Sequence, residues 1–545
     1  MAPTGVSCRP TRTTKMKYKA LRFVMKIKNA KEDHFLKSCS LVIDGDSYFR
    51  SSYKDSGCKF ILGGEFDRYA DYLKRKLGVF IESNVICYVV FNGAMKADLE
   101  TRKQLHQKLI NDKMAIVPGD DNYYEPVFTK DVQKQVLEEL GINYYVCEHD
   151  ARETMLDVSK NYKCAVLTNN FEYCLLGMSC ITPDSIAYDK NKKGISCKIQ
   201  TPEGHEAYFC LKKYMKPVFM AVIDEDGLLY RKIPRIIGSG KKNPIGNLIY
   251  WMNHQSQTEA IEKLVKMLDS EADRQKFRDT VHELIKLILF TRKNPAVKYF
   301  NTSDSDNNEF RKRESIGQIA IPYINLKNNG WFSGSWVICD KNRNDAMLPA
   351  IDIIICARSA LSDDKKGEVT FIGRNVDKSC VTQIKADAKF SKINDEGFSL
   401  EDCFEKFVDT ALPGFNWSLL TDVSEDMWLL IITLLYYLSK AGSDFITPAY
   451  SILVSYLILG PVSKKVGLIK RSNLTMCHSL ALDDPDAEND CTYEDCLKAA
   501  HAVIDYFDER KIKKNFDRGV LHSLAEFQHC LQQMNYLNKL GGEKN

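Results

Sequence analysis

The chain has 545 residues, of which 44% are hydrophobic and 27% charged, with a formal net charge of +4. That is long enough for two or more domains with a sizeable core, and the composition is that of an ordinary globular protein. The longest apolar runs, Met427 to Leu438 and Tyr450 to Leu459, are too short to span a bilayer and have Lys440 and Asp444 between them, which excludes a membrane role.

The 18 cysteines form no C-x-x-C pair and no zinc-like spacing, and the basic N-terminus lacks an apolar signal core. They read as reduced thiols of an intracellular protein. Residues 1–37 carry ten Lys or Arg against Glu32 and Asp33, a local charge of +8 that exceeds the charge of the whole chain. Such an arm can hold a nucleic-acid backbone, serve as a nuclear or mitochondrial address, or be a solvated tail. The nucleus is the expected location, ahead of the cytoplasm, with the mitochondrion as alternative.

A first strand, Cys39 to Ile43, ends in Asp44-Gly45-Asp46, and a helix with aromatic content follows it. Tyr69, Leu73 and Leu77 then mark a helix near Phe66 to Leu77. The second strand, Val85 to Phe91, ends in Asn92-Gly93, and a charged helix from Ala97 to Lys113 carries Arg102, Lys103 and Lys108. A helix over Asp131 to Leu140 stops at Gly141. The third strand, Tyr144 to Val146, leads through Cys147-Glu148-His149-Asp150-Ala151-Arg152-Glu153 into a helix that runs to about Lys160. A fourth strand, Cys164 to Leu167, ends in Thr168-Asn169-Asn170-Phe171-Glu172. Alternating strands and helices imply a parallel sheet with right-handed crossovers.

Asp44, Asn92, Glu148, Asp150, Asn170 and Glu172 therefore gather where ligands bind in open α/β sheets, at the carboxyl ends of the strands. Helix capping accounts for one such residue but not for four polar strand ends. Converging carboxylates repel unless cations balance them, and the hard cations that suit oxygen ligands and phosphates are Mg²⁺ and Mn²⁺. Two such ions would stabilise both the attacking and leaving oxygens in a phosphodiester hydrolysis. His149, between two of these carboxylates, reads as a structural or exposed histidine.

These motifs resemble those of the flap-endonuclease superfamily of PIN-like nucleases. Leu41-Val42-Ile43-Asp44-Gly45 is similar to its first acidic motif, and Val89-Val90-Phe91-Asn92-Gly93 to its second, V-F-D-G. Glu148-His149-Asp150-Ala151 resembles E-G-E-A, and Leu167 to Glu172 resembles S-x-D-x-D. Pro217 to Asp226 resembles the segment that supplies the last aspartate, which puts Asp226 in the cluster by resemblance. Gly246 to His254, followed by Thr258-Glu259-Ala260, is similar to the asteroid branch. The resemblance covers about residues 39 to 270.

The resemblance implies Asp44, Glu148, Asp150, Glu172 and Asp226 as catalytic carboxylates. With Asn92 and Asn170 as neutral ligands they would hold one or two Mg²⁺ or Mn²⁺ ions, weakly bound. Asn92 and Asn170 stand where the family has Asp, so each ion site lacks one carboxylate; Glu172 also replaces an Asp. At the N-terminus, Met16-Lys17-Tyr18 replaces the family's M-G-I, and the helix-two-turn-helix glycine pattern for duplex DNA is missing. Arg102 and Lys103 stand where the superfamily holds the scissile phosphate. Gly238-Ser239-Gly240-Lys241-Lys242 is a basic loop that contacts phosphate or is a solvated turn.

Beyond residue 255 the chain becomes helical. Ser256-Gln257-Thr258-Glu259 reads as a capping box, with an apolar face of Ile261, Leu264, Val265 and Leu268. A second helix runs from Arg274 to Phe290, and Thr302 to Glu314 reads as a linker or long loop. Trp336 to Cys339, Ile351 to Cys356 and Glu368 to Gly373 read as β-rich pieces. Residues 401 to 545 are expected to be helical, with Trp428 to Leu438 and Ser451 to Leu459 a buried pair around a turn near Gly442, and Asp483 to Asp490 a solvated acidic loop.

The expected fold is an α/β, PIN-like parallel sheet flanked by helices, followed by a mainly helical region. The expected domains are a basic arm (1–38), a PIN-like domain (39–255) and an asteroid-type helical region (256–545). The expected function is a divalent-metal-dependent, structure-specific nuclease-family protein acting on single-stranded or branched DNA, with weakened activity. The alternative is a catalytically inactive nuclease-fold scaffold or nucleic-acid-binding protein.

Overall fold

Leu41, Val42 and Ile43 are fully buried, so strand β2 (Ser40–Asp44) is covered on both faces. A strand apolar on both faces belongs in the middle of a sheet packed between helices, and that is where it lies. The structure is a computed structural model. It describes residues 31–60, 64–94, 99, 103–104, 125–170, 172–224, 229, 232–237, 244–289, 295–302, 309–334, 340, 342–361, 368–373, 382–385, 400–421, 423, 425–441, 445–457, 462, 468–470, 475–477, 492–503 and 517–542. They fall in two compact units: residues 1–58, 66–96 and 129–321 in the first, and 59–65, 97–128 and 322–545 in the second.

The first unit holds the sheet. Its strands are β1 (Glu32–Leu36), β2, β3 (Ile86–Phe91), β4 (Tyr144–Val146), β5 (Ala165–Leu167), β6 (Cys180–Ile181), β7 (Ala187–Asp189) and β8 (Gly194–Gln200). The order is β1-β8-β6-β5-β2-β3-β4, with β7 paired to β8. β6, β5, β2, β3 and β4 run parallel, whereas β8 runs antiparallel to β6, β1 and β7. The sheet is mixed but mostly parallel, as a PIN-like fold requires. Residues 32–36, expected in a basic arm, form an edge strand instead.

The topology locates the site. From β2 the chain adds β3 and then β4 on one side, and then crosses to place β5 on the other. The strand order thus reverses at β2, the switch point at whose carboxyl ends open α/β sheets bind ligands.

Helix α1 (Gly45–Phe49) follows β2, and α2 (Phe66–Glu82) buries Tyr69, Leu73, Leu77 and Phe80, one stripe at helical spacing. α3 (Thr129–Glu139) packs on α2, and α4 (Arg152–Tyr162) packs beneath β2 and β5. The short α5 (Glu172–Leu175) follows β5. α6 (Lys216–Ile223) is buried along its whole length, in a core shared with Val42, Val166 and Leu248.

α7 (Pro244–Asn253), α8 (Gln257–Val265) and α9 (Glu271–Leu289) extend that core. The capping box of α8 is present: Ser256 accepts from the Glu259 N–H, and Glu259 accepts from the Ser256 N–H. The expected linker at 302–314 is corrected. α10 (Pro295–Thr302) and α11 (Glu309–Ser315) occupy most of it, and α11 packs against β4.

The second unit is mainly helical. Its central helix is α16 (Arg518–Leu540), surrounded by α12 (Ile351–Leu361), α13 (Cys403–Ala411) and α14 (Glu425–Ala441). Ile351 to Cys356 is helix, not strand. Ile353, Ile354, Ile355, Cys356 and Ala357 are all buried, and a helix buried all round looks like a buried strand in sequence. Glu368–Phe371 does form a strand, whereas Trp336 to Cys339 lies outside the described residues. α14 buries Ile432, Leu434, Tyr436 and Tyr437, but α15 (Ile446–Leu457) exposes Ile446, Tyr450 and Val454, so the expected buried pair is only half buried. No described helix is long and apolar enough to cross a membrane.

Candidate active site

Asp44 is the last residue of β2 and is buried at 6% exposure. It caps α1 by accepting from the Ser47 N–H at 3.1 Å, and its other oxygen accepts from the Thr168 hydroxyl at 2.8 Å. Thr168 stands at the end of the neighbouring β5, so the two strand ends are tied through this carboxylate. Burial pushes the Asp44 carboxyl up to about 6; the charges of Asp46 and Asp150 add to the rise, and the two hydrogen bonds oppose it. Among the described residues no basic side chain is paired with Asp44.

Asn92 follows β3 and is fully engaged. Its N–H and its side-chain amide donate to one oxygen of Asp46, at 2.8 and 3.0 Å, and its own oxygen accepts from the Ala151 N–H at 2.9 Å. An aspartate at this position would set two carboxylates against each other, whereas the amide satisfies Asp46. The other oxygen of Asp46 accepts from Lys130 at 3.1 Å.

β3 and β4 meet tightly at Gly93. Its N–H donates to the His149 carbonyl at 2.7 Å and the Ala94 N–H to the Glu148 carbonyl at 2.9 Å. A Cβ on Gly93 would lie 1.6 Å from the Cys147 carbonyl oxygen, so only glycine permits the approach. That contact fixes the turn carrying Glu148 and Asp150. The His149 ring nitrogen lies 3.1 Å from the Ala94 carbonyl oxygen, a structural position.

The acids of that turn have basic partners. Asp150 accepts from the N–H and from the Nε of Arg152, both at 2.8 Å, and Arg152 Nη1 reaches Glu172 at 2.9 Å. One guanidinium therefore joins the ends of β4 and β5. Burial works against its charge, but Glu172 and Asp150 outweigh it and raise the Arg152 pKa. Arg311 of α11 donates to Glu148 at 2.7 Å and to the buried Glu314 at 2.6 Å. The side-chain oxygen of Asn170 accepts from the Glu172 N–H at the start of α5, at 3.1 Å.

The strand ends thus bring together Asp44, Asn92, Glu148, Asp150, Asn170 and Glu172. Asp226, Arg102, Lys241 and Lys242 lie outside the described residues, as does most of the expected helix around Lys103. Sequence reasoning passed over Asp46, Thr168, Lys130, Arg152 and Arg311 as site residues. Arg152 and Asp46 lay inside the motifs already singled out, two residues beyond Asp150 and Asp44, whereas nothing local pointed to Lys130 or Arg311.

Among the described residues no three His, Cys, Asp or Glu side chains are gathered to hold one ion. Oxygen donors that suit a hard cation are present, since Asp44 has no basic partner and one oxygen each of Glu148 and Asp150 makes no hydrogen bond among the described residues. A second ion does not fit. Arg152 stands between Asp150 and Glu172, and Asn170 brings no charge.

Residues 426–543 match the model of the Asteroid N-terminal domain. The chain is 23% identical over 275 residues to human single-strand DNA endonuclease ASTE1, covering 46% of this chain and 40% of that protein. It is 23% identical over 145 residues to Drosophila melanogaster protein asteroid, covering 26% of this chain and 17% of that protein. The chain thus spans about two fifths of the human relative's length. A solved structure of the Holliday junction-resolving enzyme GEN1 with product DNA, Mg²⁺ and Mn²⁺ aligns over 71% of this chain and 98% of that one, at 11% identity and a TM-score of 0.31. The first unit has the mostly parallel sheet and the acidic strand ends that the sequence motifs anticipated. The chain is similar to the asteroid proteins over part of its length.

Proposed function

We propose that this protein is a DNA endonuclease that cuts single-stranded or branched DNA with one divalent cation, Mg²⁺ or Mn²⁺, drawn to the neighbouring carboxylates of Asp44 and Asp150. The observation that carries this reading is Asp44: a buried carboxylate at the switch point of the sheet, without a basic partner among the described residues and in the field of two more aspartates. The name of the human relative supports single-strand DNA as substrate.

A bound divalent cation supplies Lewis-acid polarisation of the phosphate and lowers the pKa of a water molecule. Thr168 and Ser47 hold the Asp44 carboxylate in one orientation. Asn92 anchors Asp46 and the start of α4, which keeps the Glu148–Asp150 turn in register with β3. The basic residues Arg102, Lys103, Lys241 and Lys242 and the basic arm position the DNA backbone. By the family resemblance Asp226 and Glu172 belong to the same acidic set, and a nuclear location accompanies this reading.

The test is a cleavage assay on end-labelled single-stranded, flap and overhang DNA with Mn²⁺, Mg²⁺ or EDTA, with Asp44→Asn/Asp150→Asn run beside the wild type. Metal-dependent cutting that the double variant loses supports the proposal. Folded protein that never cuts, even in Mn²⁺, sinks it in favour of the second reading, a nuclease fold that binds without cutting. The engaged Asn92 oxygen favours that second reading.

A further inference from the structure

We infer that Arg152 takes the place of a second divalent ion, so that the site combines one cation from solution with one built into the chain. The inference rests on reading the strand ends as a nuclease site. Three hydrogen bonds carry it: the Arg152 N–H and Nε both reach one oxygen of Asp150, and Nη1 reaches Glu172. The first comes from the backbone amide; the other two are charge-assisted bonds from one guanidinium to two different carboxylates. The guanidinium therefore joins the two strand ends, β4 and β5, that a bridging ion would join.

The charges agree. Asp150 and Glu172 bring two negative charges, and Asn170 brings none where a third carboxylate would favour a divalent ion. A monovalent guanidinium suits this reduced set. To enter here, Mg²⁺ would have to displace the arginine and build a near-ideal octahedron from two carboxylates, an amide and water. Arg152 Nη2 has no partner among the described residues, so the fork keeps donors for a phosphate oxygen while holding both acids. Arg152 is a positioning residue in this account and carries a fixed charge.

The experiment counts Mn²⁺ ions per chain by calorimetry and by electron paramagnetic resonance of free Mn²⁺, on the full chain without DNA. The variants are Arg152→Ala/Asn170→Asp and Arg152→Lys, with circular dichroism as the folding control. The wild type is expected to bind one ion and Arg152→Ala/Asn170→Asp two, with Arg152→Lys staying at one because it keeps the charge. Two ions on the wild type overturn the inference, and so does a folded double variant that binds no more than the wild type. No ion on the wild type but one on the double variant keeps Arg152 in its role and refutes the one-ion reading of Asp44.

Discussion

Acids and bases meet in both units, to opposite ends. At the strand ends of the first unit, Glu148, Asp150 and Arg152 are 50%, 52% and 40% exposed, so their ion pairs are hydrated and can be exchanged for a ligand. On α16 of the second unit, His522 and His529 are buried, and Glu526 binds the His522 ring at 3.1 Å and the Tyr437 hydroxyl. Those groups face the core, where no ligand can replace a partner. Paired acids therefore keep exchangeable partners in one place and serve as architecture in the other. What decides is whether a strand end opens them to water or a helix face closes them off.

The largest effect that would sharpen this contrast is catalytic. Asp44→Asn/Asp150→Asn should lower the cutting rate about a thousandfold, about 4 kcal/mol of barrier, and leave the melting temperature within a few degrees. A variant that still cuts would mean that the strand-end acids are not the site.

Gly93→Ala comes next. The new Cβ meets backbone, not a movable side chain, so β3 and β4 must part. A loss of about 3 kcal/mol in urea unfolding is expected, with cutting impaired in the fraction that stays folded. An unchanged midpoint would contradict the close approach that sets the turn.

A comparable but pH-dependent effect belongs to the second unit. Burial lowers the His529 pKa to about 4, with Asp345 and Glu526 opposing and His522 adding to the shift. Because the folded value lies below the ordinary one, its contribution is fully present above about 6.5 and is lost as pH falls toward 4. His529→Leu should remove up to about 3 kcal/mol of that acid destabilisation, read as a flatter stability profile between pH 6.5 and 4, without altering cutting. Neither ring nitrogen has a hydrogen-bond partner among the described residues, so the apolar replacement strands no group. A profile as steep as that of the wild type would move the acid sensitivity elsewhere. Lys130→Gln is the smallest change, within about 0.5 kcal/mol, because its pair with Asp46 is solvent-screened.

Much of the sheet was legible because its central strands are apolar on both faces and end in acids. Leu41-Val42-Ile43-Asp44 needs no partner sequence to be recognised. Strands β1, β7 and β8 were not legible: the edge strand β1 carries mixed residues such as Glu32-Asp33-His34, and β7 and β8 carry polar residues among the apolar ones. The α12 stretch was misread because the apolar run of five from Ile353 to Ala357 fits a buried strand and a buried helix equally well. In the site, the acids were visible and their partners were not. Arg311 sits 163 residues from Glu148, and only the packing of α11 on β4 brings them together. Asn92 and Asn170 looked like lost ligands in sequence, whereas in the fold one satisfies Asp46 and the other accepts from the Glu172 N–H at the start of α5.

The account is tested most directly by diffraction from crystals soaked in Mn²⁺, read by its anomalous signal. One peak beside Asp44 and Asp150, with Arg152 still spanning Asp150 and Glu172, is the predicted result. Two peaks with Arg152 displaced, or none at Asp44, would contradict it.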